Sequence, residues 1–438
     1  MAEILIATPS PTGHVGPMLS ISHDLVARGN RVTVITGAVN AEAVRAAGAE
    51  LHPLPANADL DDAQFDPVAR GNTSAIAALN PAIIRMYLAP MARQAAELST
   101  AMARRRFDAI IVDHAFFGVV PFLLGDRAGR APAVLYYAPT PLMLSSRDTA
   151  PPGMGLPPRA GTIGRLRNRA LNLFSHEVVL RQSHRAANAT LKSMGLTRLP
   201  VFLLDVGVLA DRLLVPTVPT FEYPRSDLAS NVRFVGPVRP SSHEYVRPAW
   251  WPELDGDRPV VHVTQGTVDN EDPTRLIEPT IEALAGDDVI VVATTGGRPV
   301  TGVMAAPPAN TLVAEYIPHE ILLPKVDAMV TNGGYGDVQR AVSTGVPLVV
   351  AGSTVAEREV AARVAWAGAG IGRRTGTPTP ATIRRAVHQV LGGGNYLHRA
   401  RELEADFARR DGIAEIAALV DEVIGERRLR ARAHPSHL

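Results

Sequence analysis

The chain has 438 residues, which at ~150 residues per domain fits two to three domains. Hydrophobic residues make up 46% and charged residues 20%, the balance of a packed globular protein and not of a disordered one. Lys plus Arg is 44 against 43 for Asp plus Glu, so no basic surplus argues for a nucleic-acid partner; cysteine is absent, which excludes disulfides, thiolate-bound metal and a thiol nucleophile.

The N-terminus carries no basic leader and enters an apolar run at once, which predicts a first strand over residues 3–8 and no signal peptide. Met18, Ile21, Leu25 and Val26 form one apolar helical face, and Gly29 is placed to end that helix. Residues 31–36 are β-branched and alternating. Residues 41–47 read as helix with Gly48 beyond it, and 51–54 as a third strand. Strand and helix at this spacing predict βαβ units in a parallel sheet. The pattern continues as one long helix over 81–105 and strands over 109–113 and 133–137. The longest apolar stretch, 115–125, contains Pro121 and is about half of the roughly twenty residues a spanning helix needs. A soluble, cytoplasmic chain with no transmembrane segment is therefore expected.

Prolines and glycines then mark residues 139–164 as a long loop. A second Pro-rich stretch covers 216–259, its latter part reading as an interdomain linker. The alternation restarts beyond it, with strands predicted over 260–264, 289–293, 311–315, 328–331 and 347–351. The chain therefore reads as two doubly wound α/β halves. The basic run 427–432 reads as a solvated terminus.

Ligands of open α/β sheets bind outside the carboxyl ends of the strands. His14 follows the first strand in Thr12-Gly13-His14-Val15-Gly16-Pro17, where an imidazole can act as a general base and the glycines let backbone approach a ligand. Asp113 ends the fourth strand on the same edge. It suits either of two roles: fixing the imidazole's tautomer, or capping the turn that follows. No G-x-G-x-x-G follows the first strand, so a dinucleotide site is not indicated. In the second half, residues 328–331 run into Asn332-Gly333-Gly334-Tyr335-Gly336-Asp337 and then a helix. Such a turn exposes backbone N–H groups to an anion, although Asp337 adds a negative charge there. Gly266 and Thr267 offer donors on the same edge. No spacing of metal ligands is visible, and His262 reads as a sheet residue.

These segments together resemble the family-one inverting glycosyltransferases of GT-B fold, in particular bacterial, actinobacterial-type enzymes that glycosylate natural products. The likeness runs through nearly the whole chain. Thr12 to Met18 looks like that family's N-terminal loop with its base, and Asp113 stands where the family's supporting aspartate stands. Gly266-Thr267 resembles the turn that opens the donor domain, and Tyr316-Ile317-Pro318-His319 the segment that holds the nucleotide base. Asn332 to Pro347 follows the donor signature. Several positions depart from the pattern. Asn332 stands for a phosphate-contacting His, Asp337 for Ser or Thr, Arg340 for a ribose-binding Glu, and His319 for Gln. Ala356-Glu357 stands for an Asp/Glu-Gln pair that holds sugar hydroxyls.

The resemblance implies an α/β, GT-B architecture of two Rossmann-like domains facing across a cleft. An acceptor domain is expected over 1–238, a linker over 239–255, a sugar-nucleotide domain over 256–410, a helix crossing back over 411–426 and a basic tail over 427–438. The implied reaction is metal-independent transfer of a hexose from a UDP- or dTDP-sugar to an acceptor hydroxyl, with inversion and no cofactor beyond the donor. His14 is the implied base and Asp113 its support. Thr12, Gly13, Gly266, Thr267, Tyr316, Pro318, His319, Asn332, Gly333, Gly334, Gly336, Asp337, Arg340 and Glu357 are the implied donor contacts. Phe116, Phe117, Tyr136, Tyr137 and Met143 are candidate walls for an apolar or aromatic acceptor, or core residues. The partners are a sugar nucleotide and a small acceptor, with a homodimer left open. A sugar-nucleotide epimerase and a non-catalytic accessory protein of the same fold are the alternatives.

Overall fold

The computed structural model describes residues 1–60, 75–125, 131–239, 245–267 and 270–433. Two parallel sheets organise them. The first holds β1 (Glu3–Ala7), β2 (Arg31–Gly37), β3 (Glu50–Leu54), β4 (Ala109–Asp113), β5 (Ala133–Tyr137), β6 (Arg212–Val215) and β7 (Val232–Phe234), in the order β3-β2-β1-β4-β5-β6-β7. The second holds β8 (Val260–Thr264), β9 (Ile290–Thr294), β10 (Thr311–Ala314), β11 (Ala328–Thr331), β12 (Leu348–Ala351) and β13 (Gly370–Arg373), in the order β10-β9-β8-β11-β12-β13. Central strands such as β1, β4 and β8 are mostly apolar and buried because helices cover both faces of each sheet.

The strand orders fix where ligands can bind. The order of strands along the sheet switches sides between β1 and β4 in the first sheet, and between β8 and β11 in the second. The loops after two such strands diverge to opposite faces and leave a crevice at the carboxyl edge. His14 and Asp113 stand at the first crevice. Gly266 and the 332–337 turn stand at the second.

Each sheet has a core on both faces. Leu5, Ile110, Phe116 and Val134 pack on one side of the first sheet. Ile4, Ile6, Met18 and Ile111 pack on the other, where Ile416, Val420 and Val423 of the Gly412–Ala433 helix join them. The C-terminal helix is thus part of the first core, and Arg212 on β6 reaches its Glu422 and Glu426 at 2.6 Å each. Residues 434–438 of the expected basic tail lie outside the described residues, as do 240–244 of the expected linker. The linker's Trp251 and Leu254 are buried with Val218 and Phe221 in the second core.

The helix expected over 81–105 is broken. A helix over Ala75–Ile83 passes into a wider turn over Ile84–Leu88, and a new helix starts at Met91 after Pro90. Proline lacks the N–H that a continuous helix needs there. The end of the expected 139–164 loop is also helical, starting at Gly161. The body of that loop is fastened to the second half of the molecule. Gly153 and Gly155 donate their backbone N–H groups to Glu359 Oε2, at 3.0 Å each. Glu359 Oε1 accepts from Arg363 Nη1 at 2.6 Å, and Arg363 Nε donates to Glu222 Oε1 at 2.7 Å. Leu142 N–H donates to the same Glu222 oxygen at 3.1 Å. Arg363 and Glu222 are each 1% exposed. No helix among the described residues is long and apolar enough to cross a membrane.

Candidate active site

Residues after β1 turn sharply and start a helix at Thr12. The turn is pinned by Ser10, whose N–H donates to Asp59 Oδ1 at 2.9 Å. His14 therefore sits in the first helical turn and not on a loop ahead of it, its N–H donating to Pro11 O at 2.8 Å. A Cβ on Gly13 or Gly16 would meet nothing within 4 Å, so space is open beside the imidazole.

His14 Nδ1 lies 2.9 Å from Asp113 Oδ1. An ionised carboxylate only accepts, so this contact puts the proton on Nδ1 and makes Nε2 the nitrogen that carries the lone pair. The same Oδ1 accepts from Ala115 N–H at 2.8 Å. One Asp113 oxygen thus both contacts the imidazole and caps the turn. Asp113 is fully buried, and burial alone would raise its pKa. The imidazoles of His14 and His114 outweigh that and hold the carboxyl well below the usual carboxylate range.

His114 is a residue that sequence reasoning missed. Its Nδ1 lies 3.4 Å from Asp113 Oδ1, and its ring centroid is 5.3 Å from that of His14. The signal was a second histidine directly after the strand-ending aspartate. Ligand atoms of His14, Asp113 and His114 all lie within 4.8 Å of one another, a group with the donors to hold a metal ion.

The aromatic residues considered for the acceptor lie beneath this dyad. Phe116, Phe117 and Tyr136 belong to one face's core and Tyr137 to the other's, each 7% exposed or less. Tyr136 donates its hydroxyl to His114 O at 3.0 Å, and His114 N–H donates to Tyr137 O at 2.8 Å. They brace the strand end that carries Asp113 and His114. Met143 is half-buried on the loop after β5.

At the second crevice, two glycines take left-handed backbone, Gly266 at φ +71° and Gly333 at φ +102°. The two turns are tied together: Asn332 donates its amide to Gln265 O at 2.9 Å. Gly333 N–H reaches Thr331 Oγ1 at 3.3 Å and Gly334 N–H reaches Asn332 Oδ1 at 3.4 Å. Bonds this long are weak, so both donors can turn to an anion. Thr267 is exposed beside them. Asp337 Oδ1 faces His319 Nδ1 and Arg340 Nη1, each at 3.5 Å. Its other oxygen faces the glycines, 3.5 Å from where a Gly266 Cβ would stand and 3.3 Å from one on Gly334. Burial raises the Asp337 carboxyl, against the opposing pull of Arg340. Arg340 also pairs with Glu320 at 3.4 Å. Burial likewise pushes His319 down to about 4 and His262 to about 3. His262 is a sheet residue, its Nδ1 lying 3.0 Å from Val292 O.

Tyr316 is half-exposed, with its carbonyl accepting from Tyr245 at 3.0 Å, and Pro318 caps the short helix that carries His319. Gly336 lies in the first turn of the Tyr335–Val342 helix. Glu357 is brought close but is engaged: its Oε2 accepts from Ser353 N–H at 2.8 Å and Thr354 N–H at 2.9 Å, capping the Val355–Ala367 helix.

Residues 278–423 match the family model for the erythromycin biosynthesis protein CIII-like C-terminal domain. The chain is 40% identical to the 4'-demethylrebeccamycin synthase of Lentzea aerocolonigenes, over 97% of this chain and all of that relative. The chain belongs to the GT-B natural-product glycosyltransferases. It is also 37% identical to UDP-glycosyltransferase 2 of Phaeomoniella chlamydospora, over 96% of this chain and 95% of that one. Among solved structures, the kitacinnamycin glycosyltransferase shares its fold with a TM-score of 0.72, at 22% identity over 97% of this chain and 99% of that one. The two parallel sheets described above are the two Rossmann-like halves of that fold. In this glycosyltransferase, the first half brings titratable side chains to its crevice. The second brings backbone donors together with Asp337, His319 and Arg340.

Proposed function

We propose that this glycosyltransferase moves a hexose from a nucleoside diphosphate sugar, UDP or dTDP, to a hydroxyl of an apolar or aromatic small molecule, with inversion. The observation that carries the reading is the 2.9 Å contact between His14 Nδ1 and the buried Asp113, made at the switch point of the first sheet. In this scheme His14 Nε2 takes the acceptor's hydroxyl proton as its oxygen attacks the anomeric carbon. The bond from that carbon to the diphosphate breaks on the opposite side. Asp113 stabilises the imidazolium that forms. Backbone N–H groups of Gly266, Gly333 and Gly334, with the Thr267 hydroxyl, hold the departing diphosphate where its charge develops. Tyr316, Pro318 and His319 flank the nucleotide base, and Thr12 and Gly13 border the transferred sugar. Two names support the reading: one relative is called a UDP-glycosyltransferase and another a synthase of a demethylated rebeccamycin.

The test is a panel of UDP-, dTDP- and GDP-sugars. Thermal shift comes first, because a tight ligand raises apparent stability. Turnover with hydroxylated aromatic acceptors follows. Nucleoside diphosphate release that requires acceptor, with a product of inverted anomeric configuration, is the expected result. Epimerised donor, or binding without turnover for every acceptor, overturns the proposal.

A further inference from the structure

The Gly161–Phe174 helix is packed inside out. Its buried residues are Gly164 and Asn168, while Ile163 and Leu166 are 70% exposed and Leu173 62%. Phe174, and Val178 in the turn that follows, also face solvent. Five of the fourteen exposed large apolar side chains among the described residues thus fall between Ile163 and Val178. On a helical wheel, Ile163, Leu166, Ala170, Leu173 and Phe174 occupy an arc of about 100°, the stripe that an amphipathic helix normally turns to its core.

Hydrogen bonds fix this orientation. Asn168 is fully buried and donates its amide to Arg147 O at 3.1 Å. One turn on, Asn172 donates to Ser146 O at 3.1 Å and Thr149 O at 3.3 Å. Rolling the helix to bury its leucines would strip these bonds from the loop after β5. The charge around the stripe is equally one-sided. Residues 159–185 contain six arginines and a single acid, Glu177, in a chain whose net charge is +1. Arg159, Arg165, Arg169, Arg181 and Arg185 are exposed, Arg165 beside Asp148 at 3.2 Å.

We propose that this face docks on an anionic lipid surface. The apolar side chains enter the boundary between headgroups and acyl chains, and the arginines meet the lipid phosphates. An apolar stripe flanked by arginine is the pattern of a helix lying in that interface. A second copy of the chain fits poorly, because pairing the face with itself apposes two arginine clusters. The activity is not needed for this inference, which concerns where the enzyme works.

Flotation of the full chain with phosphatidylcholine vesicles, with and without phosphatidylglycerol, tests it. The chain floats with the anionic vesicles, and high salt weakens the association. Replacing Leu166, Leu173 and Phe174 with Ser lowers vesicle affinity by about tenfold or more. So does Arg159→Glu with Arg169→Glu, given the attraction of each arginine to an anionic surface. These side chains are exposed, so unchanged thermal unfolding checks that the variants are folded. Failure of the chain to float, or equal flotation of the variants, overturns the proposal. So does a concentration-dependent dimer, without flotation, that the serine variant abolishes; the occupant is then a second copy.

Discussion

Asp113→Asn separates charge from shape at the base. The amide keeps the volume of the carboxylate and can still accept from Ala115 N–H, so the turn after β4 survives. What disappears is the negative charge beside His14 Nδ1, 2.9 Å away. On the proposed mechanism the imidazole becomes a cation during transfer. At an effective dielectric of about 20, opposite charges with centres roughly 4 Å apart attract by about 4 kcal/mol. At about 1.36 kcal/mol per decade, that is a loss of roughly a thousandfold in kcat. His14→Ala removes the proposed base itself and costs about 10²–10⁴-fold. Because the two act as one unit, the double variant is about as slow as His14→Ala alone. The assay is initial-rate release of nucleoside diphosphate at saturating donor and acceptor. Calorimetric titration of nucleotide serves as the control, since donor affinity is expected to hold. If Asp113→Asn keeps more than a tenth of kcat, or if the losses in the double variant multiply, the dyad is not the base.

Three further outcomes are expected. Arg363→Met leaves Glu222 and Glu359 buried without their cation, which costs about 3–5 kcal/mol. Calorimetry then shows a fall in Tm of roughly 6–20 °C, and a fall of only a degree or two would show that the buried ion triad is not a structural clamp. Gly333→Ala forces a side chain into left-handed backbone, with its Cβ 2.9 Å from Val350 Cγ1. At roughly 1–3 kcal/mol of strain, nucleotide affinity drops about tenfold, whereas Gly286→Ala, which meets nothing within 4 Å, leaves it unchanged. The folded pKa values of His262 (about 3) and His319 (about 4) lie below that of a free imidazole. Unfolding therefore takes up protons: stability is full at neutral pH and falls as pH drops below about 6.5. Across pH 4.5–6 the fall is roughly 2–3 kcal/mol per pH unit for two histidines, and denaturant titration of His319→Phe should show about half that slope.

Much of the site was legible because its turns obey local rules. The strands over 109–113, 260–264 and 328–331 are apolar runs bounded by turn residues, and β4, β8 and β11 match them in extent. Shorter elements escaped. β7 has three residues inside a Pro-rich stretch, and β13 reads Gly-Ile-Gly-Arg, so neither carries enough β-branched character to register. Tertiary contacts left no local trace. Glu222 and Arg363 are separated by 141 positions, and nothing near either residue announces a buried pair. His114 is adjacent to Asp113 in sequence, but only the fold turns its ring toward the same oxygen as His14. The inverted helix was hidden for a different reason. Gly161 and its proline-rich approach read as loop, which masks the helical apolar spacing that begins at Ile163.

The two crevices differ in what sequence change can do to them. At the first, the proposed chemistry rests on His14 and Asp113, so on that reading a substitution at either removes the function directly. At the second, Gly266 and Gly333 hold the turns through backbone dihedrals that other residues rarely adopt. Side chains around them can then vary without displacing the N–H groups. Asn332 illustrates the result: its amide is spent on Gln265 O, which leaves its carbonyl oxygen toward Gly334. Asp337 turns a second oxygen to the same glycines, and Arg340 supplies the nearby positive charge. A diphosphate placed there on the proposed reading would meet backbone donors beside two acceptor oxygens. Its affinity would depend on Arg340 leaving Asp337 and Glu320 for the phosphate. Arg340→Ala discriminates: nucleoside diphosphate affinity falls with steep salt dependence in the parent chain if the guanidinium makes that move. Affinity unchanged by the substitution would mean that the glycine turns hold the diphosphate alone.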